Sequence, residues 1–349
     1  MAVSCMSSSA SFSLRLIAWQ RQHGRHHLPW QSPDPYRVWV SEIMLQQTQV
    51  GTVLGFYERF IARFPDVASL AAAPLDDVLA LWSGLGYYTR ARNLHRAARL
   101  VEDTLGGIFP VDPAELERLP GIGRSTAAAI AAFAAGARVA ILDGNVKRVL
   151  CRQFGIEGFP GQAAIHRQLW DLAESLLPTG DIEPYTQGLM DLGATVCTRS
   201  RPRCGECPVA AGCIARRDGR QGELPSSKPR AAVPERTSTF VLLHDGARLL
   251  LERRPPSGLW GGLLVPPEGE PSEVARRCAI DLLDQQPLPA FRHAFTHFRL
   301  TLQPVLCRVV ASSGVAEPGL EWVAIEQAAD AGVPAPIRKL IRQVAALPG

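Results

Sequence analysis

Up to about residue 215 the apolar residues recur every three or four positions, the period of a helix; from residue 237 the period shortens to that of strands. Residues 1–10 are small and polar and predict no regular structure, so the helical pattern begins at Phe12–Gln22. Gly24–Pro35 (GRHHLPWQSPDP) reads as a loop. Tyr36–Gln49 (YRVWVSEIMLQQTQ) reads as one helix, with Val40, Ile43, Met44 and Gln47 at helical spacing. Residues 50–110 carry three more helical segments, divided at Phe64-Pro65, at Pro74 and at the glycine-rich GLGYYTR. Asp112 is placed to cap a short helix, with Pro113 at its first position, that reaches Leu119 and breaks at Pro120-Gly121. Gly121 and Gly123 bracket Ile122 in a tight turn, and an alanine-rich helix follows from Ser125 to Ala135. The pattern is helix, Gly-Ile-Gly hairpin, helix. Residues 145–190 are helical again, with breaks near 158–160 and 178–180. Beyond a stretch rich in proline, glycine and charge, TSTFVLLHDGARLLLERRP predicts two strands about an Asp-Gly turn. A helix is expected at Ser272–Gln285, strands in HAFTHFRLTLQPVLCRVV, and a last helix near Pro336–Ala346.

A chain of 349 residues with 46% hydrophobic content suits two domains, each with its own core. No apolar run approaches the ~20 residues needed to span a membrane. The N-terminus lacks a basic segment followed by an apolar block, so no signal peptide is read and the cytoplasm is the expected location. A net charge of +4 is compatible with a nucleic-acid partner without requiring one.

Of eight cysteines, Cys5, Cys151, Cys278 and Cys307 are scattered and read as free thiols. Cys197, Cys204, Cys207 and Cys213 are spaced C-x6-C-x2-C-x5-C, and without a secretory signal this reads as a metal site rather than a disulfide framework. The spacing by itself leaves tetrahedral zinc and an iron–sulfur cluster both open. Arg199, Arg201 and Arg203 lie in the first loop between these cysteines.

Two carboxylates draw attention. Asp143 stands eighteen positions after Ser125, at the mouth of a new helix, where it is either a helix cap or a catalyst. Glu42 lies on its helix between apolar Val38 and Leu45. A lone helical glutamate is ordinarily solvated, yet such flanks would desolvate this one and raise its pKa. The bare N–H groups that open the alanine-rich helix form a site for an anion such as a DNA phosphate.

LPGIGRSTAAAI followed by ILDGNVKRVL resembles the helix-hairpin-helix and catalytic aspartate of the endonuclease III superfamily of DNA glycosylases. The wording is most similar to the MutY-type adenine DNA glycosylase family, whose SE-x-MLQQT signature SEIMLQQTQV matches, and the resemblance runs along nearly the whole chain. It implies a mainly α catalytic region at 11–217, with a cluster loop at 194–215, a linker at 218–236, and an α+β Nudix-like domain at 237–347. It implies one 4Fe-4S cluster on the four closely spaced cysteines. It implies Glu42 as general acid, Asp143 as stabiliser of the sugar cation, and Asn145 as the residue that orients it. Position 125 is a lysine in bifunctional relatives; Ser125 implies base removal without strand nicking, with Lys147 as a source of weak adventitious nicking.

The resemblance further implies that Leu28 lines the pocket for an extruded base, that Gln47 and Thr48 wedge into the base stack, and that Tyr87 of WSGLGYYTRARNL intercalates. Arg90 and Arg92 would reach phosphates or stay solvated. Gly121 and Gly123 would hold a phosphate. GLWGGLLVPP resembles the Nudix-like domain, but EVARRCAIDLLDQQ lacks the carboxylates that hold magnesium in true Nudix hydrolases, which implies a recognition module. AFTHF resembles the loop that inspects 8-oxoguanine, with Phe295 and His297 matching and Thr296 replacing a serine. The implied partner is duplex DNA with adenine opposite 8-oxoguanine or guanine, acted on by a monomer. An endonuclease III-type lyase and a catalytically idle cluster protein are the alternatives; Ser125 weighs against the first, and intact Glu42 and Asp143 against the second.

Overall fold

The computed structural model describes residues 2–228, 233–255, 258–295, 298–310 and 319–346, with side chains from residue 12 onward. The helices are α1 (Ala2–His23), α2 (Pro35–Leu45), α3 (Val50–Arg63), α4 (Val67–Ala72), α5 (Leu75–Trp82), α6 (Thr89–Leu105), α7 (Pro113–Leu116), α8 (Arg124–Ala135), α9 (Gly144–Phe154), α10 (Ala163–Ser175), α11 (Ile182–Asp191) and α12 (Ile214–Arg217), then α13 (Pro271–Arg277), α14 (Ile325–Ala328) and α15 (Ala335–Ala345). Two compact units result: Met1–Ala71 with Arg96–Arg230, and Ala72–His95 with Ala231–Gly349. Among the described residues no helix is long and apolar enough to cross a membrane.

The first unit is helical. Asp34 caps α2 by accepting the Tyr36 N–H at 2.9 Å, with Pro35 at the first position. The helix buries Trp39, Val40, Ile43 and Met44 and stops at Leu45. The helix expected over Tyr36–Gln49 therefore stops short of Gln49, and Gln47 takes a positive φ of 58° in the turn before α3 starts at Val50. Asp112 accepts the N–H groups of Ala114 and Glu115, as its spacing predicts, and α7 ends at Leu116. Gly121 turns the hairpin with φ 84°, while Gly123 is extended and caps α8 with no side chain. The buried residues of α8 are alanines, Ala127–Ala129 with Ala131 and Ala132, apart from Ile130, and such small side chains let α2 pack closely against it. α1 begins at residue 2, where the sequence predicts no regular structure; residues 2–23 contain neither proline nor glycine to break it.

The second unit combines α5 and the first turns of α6 with a mixed sheet. The strands are β1 (Glu235–His244), β2 (Arg248–Arg253), β3 (Leu264–Val265), β4 (Leu282–Pro287), β5 (Phe291–Ala294), β6 (Arg299–Val309) and β7 (Leu320–Ala324). The order is β3-β2-β1-β6-β4, with β5 also on β6 and β7 also on β2. β1 and β6 run parallel, and central Phe240–Leu243 is buried throughout, as a strand covered on both faces must be. The β1–β2 hairpin turns where expected, Asp245 accepting the N–H groups of Ala247 and Arg248 beside Gly246. The helix expected over Ser272–Gln285 ends at Arg277. Ala279 takes φ 53°, and Leu282–Pro287 is instead an edge strand on β6, so sheet pairing overrides the local helical pattern. α15 buries Ile337, Leu340, Ile341 and Val344, a single helical stripe.

Candidate active site

Two adjoining cavities lie in the first unit, and Glu42 is in the wall of both. The smaller, about 190 Å³, is lined by Leu28, Trp30, Val38, Glu42, Leu45, Gln187 and Met190 among others. The larger, about 1020 Å³, is an open cleft that holds Glu42, Gln47, Thr48, Ser125, Asp143 and Asn145. Residues far apart in sequence thus share one site: α2 supplies Glu42, the hairpin helix Ser125, the start of α9 Asp143 and Asn145, and the loop before α2 supplies Leu28.

Burial pushes the Glu42 carboxyl up to about 8, and the charge of Asp143 adds to the rise. Asp143 is raised by burial as well, but hydrogen bonds and a cation offset the rise. The Val146 N–H donates to its Oδ1 at 2.7 Å, and Asn145 Nδ2 approaches Oδ2 at 3.4 Å. Arg148 Nη2 donates to Asn145 Oδ1 at 2.8 Å and to the Gly193 carbonyl at 2.7 Å, and its Nε donates to the Cys197 carbonyl at 2.7 Å. Asp143 is therefore both a cap and a carboxylate supplied with donors and a nearby cation that favour its charged form, whereas the influences on Glu42, burial and the Asp143 charge, both favour its protonated form. Unequal environments for two neighbouring carboxyls separate acid from anion.

A polar network backs the small cavity. Asp191, 1% exposed, accepts Arg25 Nε at 2.7 Å, the Arg25 N–H at 2.8 Å and Gln187 Nε2 at 2.8 Å. None of Arg25, Gln187 or Asp191 was legible as a site residue, because nothing local distinguishes them from solvated loop and helix positions. Arg148 is likewise invisible as a bridge, since a basic residue early in a helix normally faces water. Gly193 permits that bridge: a Cβ there would lie 2.5 Å from Asn145 Cβ, inside any real contact.

The remaining residues of interest are placed as follows. Ser125 Oγ accepts the Leu142 N–H at 2.9 Å, tying the Asp143 segment to the hairpin helix. Gly121 and Gly123 are exposed while Ile122 between them is buried, so bare backbone faces outward. Gln47 is exposed and Thr48 half-buried. In the second unit Tyr87 is 46% exposed with φ 50°, whereas its neighbour Tyr88 is 8% exposed. Gln47 and Tyr87 are both non-glycine residues held at positive φ, a strain of about 1–3 kcal/mol that concentrates at functional sites. Phe295 stacks on Phe298 at 4.5 Å and lies 5.9 Å from Trp260. Thr296 and His297 lie outside the described residues.

Residues 40–175 match the family model for HhH-GPD superfamily base excision DNA repair proteins, 197–213 that for the iron-sulfur binding domain of endonuclease III, and 238–343 that for a NUDIX domain. The adenine DNA glycosylase of Buchnera aphidicola subsp. Acyrthosiphon pisum is 35% identical over 337 residues, covering 95% of this chain and 96% of its own. The chain belongs to the adenine DNA glycosylase family. The human adenine DNA glycosylase is 36% identical over 403 residues, 95% of this chain and 73% of its own. Among solved structures, a thermostable thymine-DNA glycosylase is similar with TM-score 0.56 and 29% identity, covering 61% of this chain and 98% of its own. A trapped endonuclease III–DNA covalent intermediate shares the fold, with TM-score 0.51 and 20% identity over 60% of this chain and 95% of its own.

The cofactor of this adenine DNA glycosylase family member is one 4Fe-4S cluster. The donor set fits it. Cys207 lies close enough to Cys197, Cys204 and Cys213 to feel each of them electrostatically, so four thiols share one neighbourhood. N–H groups point at sulfur: Arg152 Nη1 lies 3.4 Å from Cys197 Sγ, and Gln221 Nε2 lies 3.9 Å from Cys204 Sγ. Buried Arg152 also donates to the carbonyls of Thr198, Arg199 and Leu224, pinning the loop. Cys151, Cys278 and Cys307 are buried free thiols, as expected from their isolation.

Proposed function

We propose that this chain hydrolyses the N-glycosidic bond of adenine paired with 8-oxoguanine or guanine in duplex DNA, and that it does so without nicking the strand. The observation that carries the reading is the pairing of Glu42 and Asp143 on one cleft, with Glu42 raised to about 8 in the wall that the cleft shares with the smaller cavity. Adenine must leave the stack to meet groups inside a cavity. Leu28 and Trp30 would wall the extruded base, with Gln47 and Thr48 occupying the space it leaves in the stack. Glu42 donates its proton to N7, and the bond from N9 to C1′ breaks with its electron pair leaving on adenine. Ionised Asp143, oriented by Asn145, stabilises the cationic sugar. Water then adds to C1′ and returns a proton to Glu42, leaving free adenine and an abasic site. Ser125 brings no amine to that carbon.

The Gly121–Gly123 hairpin would hold a backbone phosphate on its N–H groups. Tyr87, Phe295, Thr296 and His297 are assigned to the base opposite the adenine. Cys197, Cys204, Cys207 and Cys213 are assigned as the cluster ligands, and the cluster acts as a rigid clip that presents basic residues of the 197–213 loop. Domain limits of 11–217 and 237–347, a monomeric state and a cytoplasmic location belong to the same reading.

The test is a single-turnover assay on a duplex with adenine opposite 8-oxoguanine, analysed with and without alkali. Cleavage only after alkali is expected; cleavage without it would overturn the monofunctional reading. Purified protein is expected to be brown, absorbing near ~400 nm. A colourless, zinc-containing preparation would reject the ligand assignment.

A further inference from the structure

We propose that Arg92 is a positioning residue that fastens the Tyr87 turn to the Phe295 face of the C-terminal fold, so that one body reads the base opposite the adenine. The inference rests on the assignment of Tyr87 and the Phe295 loop to that base, and adds the element that joins them. Both features lie in the second compact unit, which takes in residues 72–95 although they are remote in sequence from the sheet.

The Tyr87 turn is tightly built. Arg90, 8% exposed, donates through Nη2 to the carbonyls of Leu85 and Gly86 and sits 5.5 Å from the Tyr87 ring. Trp82 Nε1 donates to the Gly86 carbonyl as well. The strained Tyr87 backbone is thus held from inside, leaving the ring outward. Two fastenings connect this turn to the C-terminal fold. On one side Ser83 Oγ donates to the Val333 carbonyl at 2.8 Å, and Arg338 donates to the carbonyls of Ser83 and Ala329. This seats the end of α5 on α15. On the other side Arg92, in the first turn of α6, donates through Nη2 to Thr89 Oγ1 at 3.0 Å and through Nη1 to the Gly261 carbonyl.

Gly261 is the informative partner. It follows Trp260, which is buried at φ 56° and lies 5.9 Å from Phe295 and 5.8 Å from Phe240. Phe295 in turn stacks on Phe298 and meets His293 edge-on at 4.7 Å. A continuous run therefore links Tyr87, Thr89, Arg92, Gly261, Trp260 and Phe295. Burial lowers the Arg92 pKa, which is the environment of a guanidinium committed to protein carbonyls rather than to a phosphate in water. A guanidinium that holds a carbonyl on one element and a hydroxyl on another fixes their spacing through two directional bonds. Tyr87 and the Phe295 face can discriminate the opposing base jointly only if that spacing is kept, since coupling between two contacts needs a shared element.

The test uses the full chain and its R92A and R92K variants. Single-turnover rates and dissociation constants are measured for adenine opposite 8-oxoguanine and opposite guanine, with the salt dependence of binding. In R92A the preference for 8-oxoguanine is expected to fall roughly tenfold, the scale of one coupling interaction, while the rate on the guanine duplex holds. R92K, which keeps one donor for the Gly261 carbonyl, is expected to recover part of the preference. An R92A protein that keeps the wild-type preference overturns the inference alone. Equal weakening on both duplexes with a shallower salt dependence makes Arg92 a phosphate contact and overturns it too. Equal loss on both with a lowered melting temperature, unrescued by R92K, makes it merely structural. A wild-type chain with no preference removes the 8-oxoguanine reading itself, and this inference with it.

Discussion

Replacing Glu42 by glutamine is expected to cut single-turnover adenine release by about 10²–10⁴-fold, the contribution of a positioned general acid, with DNA affinity retained. Glutamine keeps the shape and the cavity wall but has no proton to give. Retained turnover would reject Glu42 as the acid. The same carboxyl predicts the pH profile. Only its protonated form is active in the first step, and burial raises it to about 8, so the wild-type rate is expected to fall as pH rises through that value. A carboxyl raised on folding contributes stability that is fully present below its ordinary value of 4.5 and lost as pH rises toward 8. The E42Q protein escapes this loss. Its melting temperature relative to wild type is therefore expected to be higher at pH 9 than at pH 5. A gap that is the same at both would show that Glu42 is not buried as a neutral acid.

Asp143→Asn is expected to lower release by about 10²–10³-fold, the scale of removing one electrostatic partner of a developing charge, with little change in fold. Asparagine is as good an N-cap as aspartate and can still accept the Val146 N–H that now reaches Oδ1 at 2.7 Å. The variant therefore separates the two roles that the sequence leaves joined at this position. A large fall in melting temperature with proportionate loss of activity would make Asp143 a cap and no more. The substitution also removes the like charge that helps to raise Glu42, so the alkaline limb of the residual pH profile is expected to move down. An unmoved limb would mean that the two carboxyls are not electrostatically coupled.

Several features were legible in the chain because they depend on neighbours within a few residues. The caps at Asp112 and Asp143, the glycine turn at 121–123, the Asp245-Gly246 hairpin and the cysteine spacing each follow from backbone hydrogen-bonding demands or ligand reach. The Ser272–Gln285 segment was not legible, since its apolar spacing is satisfied by a helix until β6 offers an edge to pair with. Nor was the break after Leu45, where Gln47 adopts a positive φ that no local preference demands.

The sequence by itself determined the residues on which the proposed chemistry rests: two carboxyls, a serine at 125, four closely spaced thiols and the glycine hairpin. Only the tertiary structure decided their states and company. It brought α2 and α9 together so that burial and the charge of Asp143 raise Glu42, while the Val146 and Asn145 donors and the Arg148 cation work against the rise at Asp143. It ran Arg148 from Asn145 to the carbonyl of Cys197, and set Arg25, Gln187 and Asp191 behind the cavity. It also joined residues 72–95 to the C-terminal sheet. The reason is physical: a residue's type is local, but desolvation, charge coupling and a carbonyl's choice of donor depend on atoms that arrive from elsewhere in the chain.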